Sequence, residues 1–96
     1  MAFRYRNGEV LRGQIKASYV YHTEAGQLYV WDFMHNADGI IHTIPLHTRE
    51  RGIHERYIRN TIDKIGSAQS LPWPQKAEVT IASDGLAFEV LEIKLL

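Results

Sequence analysis

Between Leu11 and Leu46 apolar residues return at alternate positions in three successive runs. Leu11, Gly13, Ile15, Ala17, Tyr19 and Tyr21 alternate with Arg12, Gln14, Lys16 and Ser18, the period of a half-buried strand. Tyr29, Trp31, Phe33 and His35 repeat the pattern, and Ile40, His42, Ile44 and Leu46 repeat it again. The segment predicts a three-stranded meander with one aromatic and apolar face.

Two turns set the expected register. Glu24-Ala25-Gly26 reads as a three-residue loop with glycine in the left-handed position. That loop places Tyr21 opposite Tyr29, Tyr19 opposite Trp31 and Ala17 opposite Phe33, gathering the rings on one face. A two-residue loop at Ala25-Gly26 would set Tyr21 against Val30 and split them, because a one-residue slip flips every side chain of a strand. Asp38-Gly39 is a strong tight-turn signal; it places Phe33 opposite Ile44, Trp31 opposite Leu46 and His35 opposite His42. Pro45 cannot donate to a ladder and marks a strand end or an edge.

The period then changes. Over 49–65, His54, Tyr57, Ile58, Thr61, Ile62 and Ile65 share one side of a helical wheel, and Glu55, Arg56, Arg59, Asn60 and Asp63 the other. Thr48 is the candidate N-cap and Gly66 the candidate stop. Ser67–Gln75, with Pro72-Trp73-Pro74, reads as a loop in which Trp73 anchors the crossing. A last hairpin follows, with Ala77, Val79 and Ile81 facing inward, a turn at Ser83-Asp84-Gly85, and Leu86, Phe88 and Val90 on the return. The apolar parity then moves to Leu91, Ile93 and Leu95, the mark of a bulge. A short extra strand at Phe3–Arg6 completes the reading.

The predicted fold is α+β: a curved antiparallel sheet or partly open small barrel, ordered β-β-β-α-β-β, with one amphipathic helix packed on it. One domain spans residues 1–96. Tyr19, Trp31, Phe33, Ile44, Ile58, Ile62, Val79, Ile81 and Phe88 are expected in one core.

Composition narrows the function classes. Apolar residues make up 45% and charged residues 23%, values of a globular chain. Eleven basic residues balance eleven acidic ones, so there is no bulk attraction to nucleic acid or to an anionic membrane. The balance is local: segments 1–23 and 47–66 are net positive, 24–46 and 67–96 net negative. The chain has no cysteine, which excludes disulfides, thiolate zinc sites and cysteine nucleophiles. No signal peptide or membrane span is apparent, and a cytoplasmic location is the expectation.

Candidate chemistry is sparse. His35 and His42 face each other, their Cβ atoms about 5 Å apart, and could ligate a metal or share a proton; Asp32 alternates to the other face and a third ligand is missing. His54-Glu55 opens like a zinc-protease helix, but Ile58 stands where the second histidine belongs. Tyr21, Tyr29, Trp31, His35 and His42 form the candidate ligand-binding face. Arg12, Lys16, Arg56 and Arg59 are the candidate nucleic-acid contacts, with sheet aromatics as stacking partners. No phosphate-binding glycine loop, nucleophile elbow or dinucleotide fingerprint is present. No catalytic residue, metal site or cofactor is expected.

Tyr5-Arg6-Asn7-Gly8, Gly26-Gln27-Leu28-Tyr29-Val30 and His42-Thr43-Ile44-Pro45-Leu46 together distantly resemble the WYL domains of bacterial regulators. That resemblance implies a small SH3-like or Sm-like barrel that binds ligands or nucleic acid. It spans under half the chain. Leu28 and Val30 replace the tryptophan and leucine that flank Tyr29 in the family signature, and His42, Pro45 and Thr48 stand where basic residues are expected. These departures remove the residues that would carry ligand binding.

The leading expectation is a non-catalytic binding or regulatory module that acts through protein contact, with a homodimer as one form. Its candidate pairing edge is Ile93-Lys94-Leu95-Leu96. Nucleic-acid binding and a histidine-based metal site or enzyme are the alternatives.

Overall fold

A computed structural model describes residues 5–65, 73–83 and 88–96. Its elements are β1 (Val10–Thr23), β2 (Gly26–Ala37), β3 (Ile40–Thr48), α1 (Arg51–Ile65), β4 (Gln75–Ser83) and β5 (Phe88–Leu95). The strands close into a barrel ordered β1-β2-β3-β5-β4. The α+β reading, one helix on a small barrel in the order β-β-β-α-β-β, is what the chain adopts. Closure comes from a parallel contact of β3 with β5 at His47 and Glu89, a long-range pairing that strand periodicity cannot reveal. Phe3, Arg4, Gly66, Pro72, Asp84, Gly85 and Leu86 lie outside the described residues, as do the side chains of Ile65 and Ser83.

The second hairpin follows its turn chemistry. Asp38 and Gly39 both have positive φ, 53° and 81°, the requirement of a mirror-image two-residue turn. Asn36 Oδ1 accepts the Gly39 N–H at 2.9 Å. Phe33 pairs with Ile44, Trp31 with Leu46 and His35 with His42, as expected.

The first hairpin does not follow its expected register. The loop is Glu24-Ala25, closed by Thr23 and Gly26, so Tyr21 opposes Leu28 and Tyr19 opposes Val30. The slip sends Tyr19 and Tyr21 to the outer face, 44% and 51% exposed. A bulge at Lys16 then corrects the phase: Ala17 pairs with Asp32, but Ile15 pairs with Phe33. Leu11 and Ile15 therefore point inward and are buried.

The interior is built on the inward row of β2. Tyr29, Trp31, Phe33, Ile44, Leu46, Val79, Ile81 and Val90 are buried, and Ile53, Tyr57 and Thr61 close the core from the helix. Of the nine expected core residues, Trp31, Phe33, Ile44, Val79 and Ile81 are buried, and Ile58 and Phe88 pack against the cluster. Tyr19 and Ile62 are exposed, which corrects that expectation. The helix turns the i, i+4, i+8 line of Ile53, Tyr57 and Thr61 inward, and Ile62 rolls outward. Thr48 ends β3 rather than capping α1: its Oγ1 accepts the Glu50 N–H at 3.0 Å, before the helix begins at Arg51. Trp73 is 43% exposed and does not anchor a crossing. The parity change in β5 is a bulge: Val90 pairs with Ile81 and Glu92 with Thr80, which leaves Leu91 unpaired between them. Tyr5 and Arg6 are not in a strand.

Gly13 explains itself by space. A Cβ there would collide with the Met34 carbonyl oxygen and lie 2.9 Å from the Phe33 ring. Gly13→Val should cost about 1–3 kcal/mol or more through overpacking, read as a lower denaturant midpoint. Tyr57 donates its hydroxyl to Gln75 Oε1 at 2.7 Å in the interior, and burial pushes its pKa up to about 12. Tyr57→Phe leaves Gln75 buried without that donor and should cost about 1–3 kcal/mol in the same measurement.

Candidate functional site

Tyr29, Trp31 and His35, three of the five candidate ligand-binding residues, belong to the core. The His54 ring stacks on Tyr29 with centroids 4.3 Å apart and planes at 18°. Tyr57 meets Trp31 edge-on at 5.6 Å and 81°. Tyr29 donates its hydroxyl to Gln27 Oε1 at 2.7 Å. The helix thus seals this end of the aromatic row and leaves no open platform on Tyr29 and Trp31. Tyr21, on the outer face, is separated from them by the sheet itself.

At the other end of the row lies His35, and Tyr5 lies over it. Their rings are 5.4 Å apart, nearly edge-to-face, and Tyr5 also meets Phe88 edge-on at 4.9 Å. Tyr5 Oη is 2.6 Å from His35 Nε2. Burial is the first cause lowering the His35 pKa, and the charge of His42 is the second. Burial also raises that of Tyr5. Both groups are therefore neutral near pH 7, and the imidazole tautomer sets which of the two donates. His35 and His42 are brought together as expected, with ring centroids 6.0 Å apart. No cluster of three metal-ligating side chains occurs among the described residues. The pair closes one end of the barrel, and Tyr5 is the partner that sequence reading missed; a lone tyrosine ahead of the first strand carries no periodic signal.

The basic candidates do not form one patch. Arg12 is engaged by Glu78 across the β1–β4 ladder, with Nη2 2.7 Å from Oε1. It borders a shallow cleft of about 260 Å³ with Gly13, Met34, His35 and Ile41. Arg56 and Arg59 are exposed on α1, and Arg59 borders a different cleft with His54, Glu55, Ile58 and Ile62. The two clefts share no residue. Lys16 is exposed at the bulge, beside Met34, Trp73 and Pro74.

What the described residues leave open is the far half of β1. Pairing with β4 ends at Ile15 and Gln75, while pairing with β2 continues to Thr23. Among the described residues, 17–23 thus have a strand on one side only. Tyr19, Val20 and Tyr21 are all exposed along this edge. The Tyr19 and Tyr21 rings share the outer face, 6.2 Å apart, backed by half-buried Leu28 and Val30. The nearby Asp32 carboxylate is the first cause raising the Tyr19 pKa, and burial is the second. The tip is tied down: Thr23 Oγ1 donates to the Gly26 carbonyl at 2.6 Å and accepts from Arg49 Nη1 at 3.1 Å. The signal that would have found this edge is length. β1 has fourteen residues and β4 only nine, so β4 cannot cover it.

No family model, characterised protein or solved structure matches the chain. No helix among the described residues is long and apolar enough to cross a membrane.

Burial lowers the pKa of both His35 and His54. The unfolded chain therefore binds protons at higher pH than the folded one, and stability falls as pH drops through the ordinary histidine value. Between about pH 7.5 and 5.5 the denaturant midpoint should decline. The decline should be smaller in a His35→Phe, His54→Phe double variant, and an equal decline would remove these two rings as its source.

Proposed function

We propose that this chain is a non-catalytic, cytoplasmic interaction module that docks an extended protein strand along the open edge of β1 from Ala17 to Thr23. The exposed run Tyr19-Val20-Tyr21 on that edge carries the reading. An unpaired edge presents a row of backbone donors and acceptors to another strand. Alternate side chains then supply contact on each face. Tyrosine is suited to such a contact, since it gives large area at low entropic cost.

The other readings have less to stand on. Of the histidine pair, His35 is buried against Tyr5, and Arg12 is engaged by Glu78. The C-terminal edge is weaker than the sequence suggests, because Ile93 and Leu95 point into the barrel. Lys94 alternates with them toward solvent, and the exposed apolar residues Leu91 and Leu96 are interrupted by exposed Glu92 and Lys94.

A Tyr19→Lys, Tyr21→Lys double variant should keep the far-ultraviolet spectrum of the wild type, as both side chains are exposed. Cross-linking in a nuclease-treated extract should recover partners, including the chain itself, with the wild type and not with the variant. Equal recovery by both proteins would overturn the reading. Recovery abolished by nuclease would overturn it in favour of nucleic acid.

A further inference from the structure

We infer that the strand docked on this edge is β1 of a second copy, antiparallel and centred on Val20; the inference rests on the open-edge reading above.

The open segment is neutral and bounded by opposite charges. It runs Lys16-Ala17-Ser18-Tyr19-Val20-Tyr21-His22-Thr23-Glu24. Two identical strands pairing antiparallel about a two-fold axis normal to the sheet must place one residue opposite itself. Any other register would put opposed side chains on different faces. With Val20 at the centre, Lys16 of each copy stands opposite Glu24 of the other, at both ends. Tyr19 then stands opposite Tyr21 twice, Ser18 opposite His22, and Ala17 opposite Thr23. Opposite charges and aromatic pairs are the favourable cross-strand combinations.

The adjacent permitted registers lose these matches. Centring on Tyr19 sets Lys16 against His22 and Tyr21 against Ala17. Centring on Tyr21 sets Lys16 against Gly26 and Tyr19 against Thr23. In the single chain neither Lys16 nor Glu24 makes a salt bridge among the described residues.

Among the described residues the other incompletely paired edges are interrupted by proline or charge, and this one is not. β3 meets β5 at one position only and carries exposed Pro45. β5 beyond that position exposes Leu91 and Leu96 but sets the charges of Glu92 and Lys94 between them. Proline and inserted charge are the usual blocks against edge-to-edge association. Ala17–Thr23 contains neither. The bulge at Lys16 and the onset of β4 pairing at Ile15 fix where a second strand must stop. The open strand from Ala17 to Thr23 spans seven residues, about 23 Å, with Lys16 and Glu24 flanking its two ends.

Sedimentation velocity of the intact chain, from low micromolar to millimolar concentration, tests the inference. The wild type should show a concentration-dependent monomer–dimer equilibrium. Lys16→Glu and Glu24→Lys each place like charges opposite at both ends and should weaken the dimer roughly tenfold. The combined charge swap should restore it, a rescue that general destabilisation could not give. A dimer indifferent to all three variants would overturn the register. A wild type that stays monomeric throughout would overturn self-pairing. In that second outcome, partner capture lost on Tyr19→Lys, Tyr21→Lys would still uphold the interaction edge, so the two readings fail separately.

Discussion

One strand has to serve two neighbours, and much of this molecule follows from that constraint. Among the described residues the first half of β1 is paired with β4, its second half only with β2, and at Gln14 and Ile15 it is paired with both. Where the neighbours change, the β2 backbone crosses so close to Gly13 that no side chain fits. The bulge at Lys16 follows within three residues. It reconciles the phase needed inside the barrel with the phase set by the Glu24-Ala25 loop. Without it, either Leu11 and Ile15 or the whole hairpin would face the wrong way.

The same constraint divides the aromatic residues into two populations. Tyr29, Trp31 and Phe33 occupy the interior and take their contacts from His54, Tyr57 and each other. Tyr19 and Tyr21 stand outside on a ribbon that has left the barrel behind. An interior closed by one helix at one end and Tyr5 at the other has no room for a second row of rings. The exposed pair is a consequence of geometry, and it lies along backbone that no second strand among the described residues pairs with.

The legibility of the sequence followed the range of the interaction. Asp38-Gly39 is a local signal that set the register of β2 on β3, and the parity change after Val90 revealed the bulge at Leu91. The period of 49–65 located the helix, though the wheel was turned enough to misplace Ile62. The Glu24-Ala25-Gly26 turn was misread because three consecutive residues admit two loop lengths, and that choice depends on a barrel built from strands fifty residues away. Closure between His47 and Glu89, the engagement of Arg12 by Glu78, and the contact of Tyr5 with His35 are all long-range. Of the candidate site, the His35–His42 juxtaposition was readable from one turn. The open edge was not, since it is defined by where β4 stops.

The two tryptophans stand in opposite surroundings. Trp31 is wholly enclosed, edge-on to Tyr57, whereas Trp73 is 43% exposed beside Lys16 and Pro74. An enclosed indole emits at shorter wavelength than a hydrated one, so the chain carries two intrinsic optical reporters in separate places. One reads the integrity of the barrel from within. The other sits where the open edge of β1 begins, and needs no added label to register what arrives there.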